Sequence, residues 1–194
     1  MDSELKFSDH AAYLSNACYR TLGAITRMTR NFKGYSCLLY LYQSLILSKL
    51  DFSSVVWNRL NQTNSNELEN VQKKFVRLLY DRYFNRRIYF SHERLLKILN
   101  LHYLSERRQA RDFSFLHKCL HGFIDCPKLT SSVFIAVPGR TLRSHRVFGC
   151  SESKSLRPIA RIQHNFNASN LINTPEVDIF VRDSFSMRFL LTRL

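Results

Sequence analysis

All four prolines of this chain, Pro127, Pro138, Pro158 and Pro175, lie after residue 126, and the first 126 residues hold three glycines, Gly23, Gly34 and Gly122. Proline removes a backbone donor and clashes with the preceding helical turn, and glycine loosens helix interiors. A long stretch poor in both is free to form continuous helices, and its apolar residues recur at helical spacing. From Ser8, read as an N-cap with Asp9 in the first turn, Ala11, Leu14, Cys18, Leu22, Ile25, Met28 and Phe32 follow at three- and four-residue steps. Arg20 and Arg27 fall on the opposite side, and Gly34 is the natural stop.

A second helix is expected from about Ser36 to Ser48; it is apolar nearly all round, which predicts a central, buried position. The following "DFSSVVWNRL" reads equally as a continuation of that helix or as a turn. A third helix covers "NELENVQKKFVRLLYDRYFNRR", capped by Asn64 with Glu67 or by Asn66 with Glu69. At 100° per residue its Leu68, Val71, Phe75, Leu78 and Leu79 share one arc roughly 100° wide. Lys73 and Arg77 project on the other side, with Lys74 on the flank. A short helix from Ser91 to about Leu99 and another from Ser105 to about His121, stopped by Gly122, complete the regular part.

After Cys126 the pattern is less regular. "SSVFIAVPGRTLRSHRVF" alternates as one or two short strands would, "RPIARIQHNFN" reads as a helix opened by Pro158, and "EVDIFVRDSFSMRFLLTRL" as a terminal amphipathic helix. The expected fold is mainly α: a helical bundle over residues 1–126 and an irregular tail over 127–194 with one or two short helices and room for short strands.

The sign of the charge narrows the function. The chain has 29 Lys and Arg against 15 Asp and Glu, a net charge of +14, which attracts polyanions, nucleic acid foremost. More than half of that excess sits between residues 70 and 111, where eleven cations meet three acids, Asp81, Glu93 and Glu106. Tyr80, Tyr83, Phe84, Tyr89 and Phe90 interleave with the cations. Arginine forks suit phosphates and aromatic rings stack on bases. Lys73, Lys74, Arg77, Arg82, Arg86, Arg87, Arg107, Arg108 and Arg111 are therefore the candidate nucleic-acid-binding residues. A basic amphipathic helix on a membrane surface, or one docked on an acidic partner, competes with that reading.

Other chemistries find little support. The longest strongly apolar run, Gly34 to Ser48, has 15 residues, short of the roughly 20 that span a bilayer. The opening "MDSELKFSDH" carries three acids and no apolar core, unlike a signal peptide, and five scattered cysteines fit a reduced, intracellular chain. The closest acids, Asp2 with Glu4, Glu67 with Glu69 and Glu176 with Asp178, diverge on a helix, and no phosphate-binding glycine loop is present. No catalytic residue and no cofactor is expected. "LHKCLHGFIDC" places His117 and His121 four apart, with Cys119 pointing elsewhere and Cys126 beyond, a poor match to a metal site.

Several passages, in order, resemble one family. "FSDHAAYLSNACYRTLGAITRMTRNFKG", "LLYLYQSLILSKLDFSSVVWN", "NELENVQKKFVRLLY", "LKILNLHYLSERRQARDFSFLHKCLHG" with "IDCPKL", and then "VPGRTLRSHRVF" and "RPIARIQHNFN" are similar to the region downstream of the polymerase palm in non-LTR retrotransposon reverse transcriptases of the jockey-like type. The resemblance implies a thumb: a helical bundle that grips a template–primer duplex through its backbone. It also implies that the palm, with its Tyr/Phe-x-Asp-Asp motif, lies outside this sequence as a possible packing partner. The expectation is a detached thumb and post-thumb segment of an RNA-directed DNA polymerase that binds duplex nucleic acid without catalysis. The competing readings are a domesticated protein-interaction module and a remnant without function.

Overall fold

The computed structural model describes residues 7–84, 89–136, 146–149, 157–169 and 179–181. They are mainly helical, as the proline distribution implied. Helix α1 runs Ser8–Met28 and buries Ala11, Leu14, Cys18, Leu22 and Ile25. Ser8 is its first residue rather than its cap. Phe7 holds the cap position at φ 53°, its carbonyl accepts the amide of Ala11 at 2.9 Å, and its ring packs on the core. An apolar ring seated in the core thus takes the place a serine hydroxyl was expected to fill. The apolar stripe also ends early: Met28 is 80% exposed and Phe32 is exposed, because the helix stops at Met28, before Gly34.

Helix α2 (Tyr35–Leu41) passes into a π-helical stretch, Tyr42–Leu47, and then into α3 (Ser48–Asp51). Leu38, Tyr42, Ile46 and Leu50 are all buried. In an ordinary α-helix, residues spaced by four drift round the axis. The wider i→i+5 turn counteracts that drift and keeps the four on one face. The segment is not buried all round as expected: Tyr40 and Leu45 face solvent. "DFSSVVWNRL" resolves into a break at Phe52–Ser53, with Ser53 at φ 50°, and the single turn α4 (Ser54–Trp57).

Helix α5 (Gln62–Tyr83) is capped by Asn61, whose side chain accepts the amide of Asn64 at 2.8 Å. Both caps expected from sequence, Asn64 and Asn66, lie inside the helix, because Asn61 offers the same chemistry one turn earlier. Tyr19 of α1 meets Lys74 of α5, and Thr26 and Thr29 meet Arg82, so the two helices run in the same direction. Helix α6 (His92–Ile98) ends in a Schellman motif: Asn100 sits at φ 51°, and the amides of Leu101 and Asn100 donate to the carbonyls of Leu96 and Lys97. Helix α7 (Leu104–Leu120) ends the same way at Gly122, φ 70°. Glu69 accepts the Ser105 amide at 2.8 Å and the Gln72 amide group donates to the His102 carbonyl at 3.0 Å, tying α5 to the start of α7.

The chain divides into two compact units, Met1–Arg107 and Arg108–Leu194. The division falls within α7, earlier than the Cys126 boundary read from composition. In the second unit α7 is followed by α8 (Pro127–Thr130) and by α9 (Pro158–Ala168), the helix expected after Pro158. Its core includes Phe113, Phe148 and Phe166, and the Arg161 guanidinium donates to both oxygens of buried Asp112 at 3.1 and 3.2 Å. Where strands were expected, the described residues form an isolated antiparallel bridge, Ile135 with Phe148, rather than a strand. Asn167 stabilises it by accepting the amides of Val147 and Phe148 and donating to the Phe148 carbonyl. Residues 137–145 of that segment lie outside the described residues, as does the expected terminal helix except for a turn at Ile179–Val181.

Candidate nucleic-acid interface

The rotation of α5 is fixed from inside. Leu68, Val71, Phe75, Val76 and Leu79 are fully buried, and the Phe75 ring stacks on buried Tyr42 with centroids 4.0 Å apart and planes 6° apart. Leu78, expected on the same face, is half-buried. With the inner face locked, Lys73, Lys74 and Arg77 emerge exposed on the outer side. Two of them are held over rings. Lys74 Nζ lies 4.9 Å from the centroid of Tyr19, and Arg77 Cζ lies 5.5 Å from that of Phe90. Such contacts bias long side chains toward one region of space and leave their donors free to turn outward. Exposed Glu67 and Asp81 bound the row along the helix, so the cationic patch is short.

The other candidate cations are placed differently. Arg82 turns back across α1: its Nη2 donates to the Thr26 carbonyl at 2.8 Å, and its Nη1 lies 3.3 Å from Thr29 Oγ1 and 3.4 Å from the Thr29 carbonyl. It serves the carbonyls at the C-terminus of α1, where a cation also complements the helix dipole. Arg107 forms a largely buried ion pair with Asp51 at the end of α3. Arg108 is 2% exposed and Arg111 is half-buried. Arg86 and Arg87 lie outside the described residues. The structure therefore gathers three of the nine, Lys73, Lys74 and Arg77, into one exposed row. Sequence reasoning missed their ring partners: Tyr19 lies far away in the chain and carries no local signal of its role.

The histidine–cysteine motif splits into separate pairs. His117 and His121 stack with centroids 4.3 Å apart, and their Nε2 atoms lie 3.1 Å from the carbonyls of Val181 and Ile179. Burial lowers the pKa of His117, the Val181 carbonyl acts in the opposite sense, and the charges of His121 and Lys118 lower it further. Cys119 is buried, and with Cys126 it lines a different pocket at the end of α7. Among the described residues no three His, Cys, Asp or Glu side chains converge as metal ligands. No described helix is long and apolar enough to cross a membrane. Compared with protein-family models, with curated proteins and with solved structures, the chain matches none.

Proposed function

We propose that the outer face of α5 binds the phosphate backbone of duplex nucleic acid, and that the chain is a thumb-like, non-catalytic segment of a jockey-like retroelement reverse transcriptase. The observation that carries the binding reading is the row Lys73, Lys74 and Arg77: three exposed cations on a helix whose opposite face is locked in the core, two of them poised over aromatic rings. A duplex carries about one negative charge per 1.7 Å of axis, so such a row meets several phosphates at once. The role is grip rather than chemistry. Phosphates carry no base information, so binding is indifferent to sequence. The retroelement part rests on the ordered resemblance from "FSDHAAYLSNACYR" to "RPIARIQHNFN".

The test compares wild type with the triple variant Lys73→Gln, Lys74→Gln, Arg77→Gln on two duplexes of unrelated sequence, read by fluorescence anisotropy. At 50 mM salt the variant should lose more than about tenfold in affinity, equally on both duplexes. Retained affinity in a folded variant would contradict the proposal.

A further inference from the structure

The flank of α1 away from α5 carries a second surface. Here α1 runs against the α2–α4 segment in the opposite direction, joined at two points. The His10 and Trp57 rings lie 5.5 Å apart, and Lys49 Nζ donates to Thr21 Oγ1 at 3.0 Å. Large apolar side chains stand exposed along this seam. Tyr13, Phe52 and Val56 fall between the two joints, at 67%, 76% and 56% exposure, while Met28 and Leu45 lie beyond the second at 80% and 43%. Single exposed apolar residues are ordinary; five on the two elements that meet at these joints, three of them between the joints, are more than that and are the kind of exposure that marks an interaction site. The rim is cationic. Arg20, Arg27 and Lys49 are exposed beside it. Between Asp9 and Glu67 the sequence holds one acid, Asp51, which is buried and paired with Arg107.

We infer that this flank is a docking groove for an acidic amphipathic helix of a partner protein. The line where α1 meets the antiparallel α2–α4 segment, broken at Phe52–Ser53, can seat a third helix that presents apolar residues at i, i+3, i+4 and i+7. Carboxylates flanking that stripe complement Arg20, Arg27 and Lys49, and Asp9, exposed at the His10 end of the seam, is the acid they would meet there. A second copy of this chain is a poor occupant, because its net charge of +14 repels its like. A duplex could meet the rim cations but would have to cover Tyr13, Phe52 and Val56, which its phosphates cannot use and its stacked bases cannot reach, so an apolar helix face fits the whole surface better. The groove is independent of the α5 row and stands whether or not that row binds phosphates.

The experiment uses the full chain at 150 mM salt and a fluorescent synthetic peptide of about 15 residues, with leucines at helical i, i+3, i+4, i+7 spacing and glutamates elsewhere. A scramble of identical composition breaks the leucine stripe. The ordered peptide should bind at least about tenfold more tightly than the scramble, and Phe52→Ser with Val56→Ser should remove that advantage. Both positions are exposed, so circular dichroism and the melting midpoint should stay as in wild type. The Lys73, Lys74, Arg77 glutamine variant should bind the peptide like wild type, since charges on another face are screened beyond about 8 Å. Equal binding of the scramble would reduce the surface to unspecific charge attraction and overturn the inference. So would absent peptide binding, an unaffected serine variant, displacement of the peptide by duplex, or a self-association that the serine variant abolishes.

Discussion

Arg82 tests whether a cation that looks in sequence like its neighbours does a different job. In Arg82→Gln the helix stays continuous, and what is lost is the link to α1. The firm part of that link is the 2.8 Å bond from Nη2 to the Thr26 carbonyl; the 3.3 and 3.4 Å approaches to Thr29 are weaker. A hydrogen bond from a charged group contributes about 1.5–3 kcal/mol, and a cation at a helix C-terminus about 0.3–1 kcal/mol. Arg82 is partly exposed, which favours the lower part of that range, so the expected cost is about 2 kcal/mol. In a chain of this size that lowers Tm by about 4–8 °C. Arg82→Lys should keep part of the loss at bay, because the charge remains while the fork is gone. Denaturant midpoints by circular dichroism give the first number, and duplex affinity across a salt series gives the second, which should hardly change. A stability loss under about 0.5 kcal/mol, the ordinary size of a surface effect, would refute this reasoning, as would a fall in the salt slope.

Three further outcomes follow from the core and its titratable groups. Phe75→Ala should cost about 3–5 kcal/mol, since it empties a fully buried site and removes the stack on Tyr42; a urea midpoint showing less than about 1 kcal/mol would contradict the packing described. Burial pushes the Cys18 thiol up to about 11, with the Lys49 charge acting in the opposite sense, while Cys37 is exposed. A thiol reagent at pH 8 should therefore modify Cys37 in the native protein and Cys18 only in denaturant, as peptide mapping would show. Burial holds the His117 pKa below its unfolded value near 6.5. The unfolded state then takes up its proton first, so the stability of the second unit should be level above pH 6.5 and fall as the pH drops through that value. His117→Gln should flatten this fall, and an unchanged profile in the variant would count against it.

Much of the helical part was legible because proline and glycine withdraw from it and Leu68, Val71, Phe75 and Leu79 repeat at the helical period. The same arithmetic placed Lys73, Lys74 and Arg77 outside, and the structure exposes all three. What stayed hidden depends on partners distant in the chain. Nothing local to Arg82 says that the end of α1 lies within reach, and nothing local to Arg107 announces Asp51. The π-helical stretch was invisible for another reason: where nearly every residue is apolar, no stripe reveals which face is buried or how many residues a turn takes. The cap of α5 was misplaced because Asn61, Asn64 and Asn66 offer the same chemistry within two turns.

Contact of Lys73, Lys74 and Arg77 with phosphates is measured directly by the slope of log K against log salt for duplex binding. Each phosphate contact contributes about 0.9 to that slope, so the triple glutamine variant should show a slope smaller by about 2.7. Between 50 and 200 mM salt the wild type would then lose about 40-fold more affinity than the variant. A slope equal to that of wild type, in a variant whose circular dichroism and denaturant midpoint show it folded, would assign these three cations to solvation alone and contradict the proposed function.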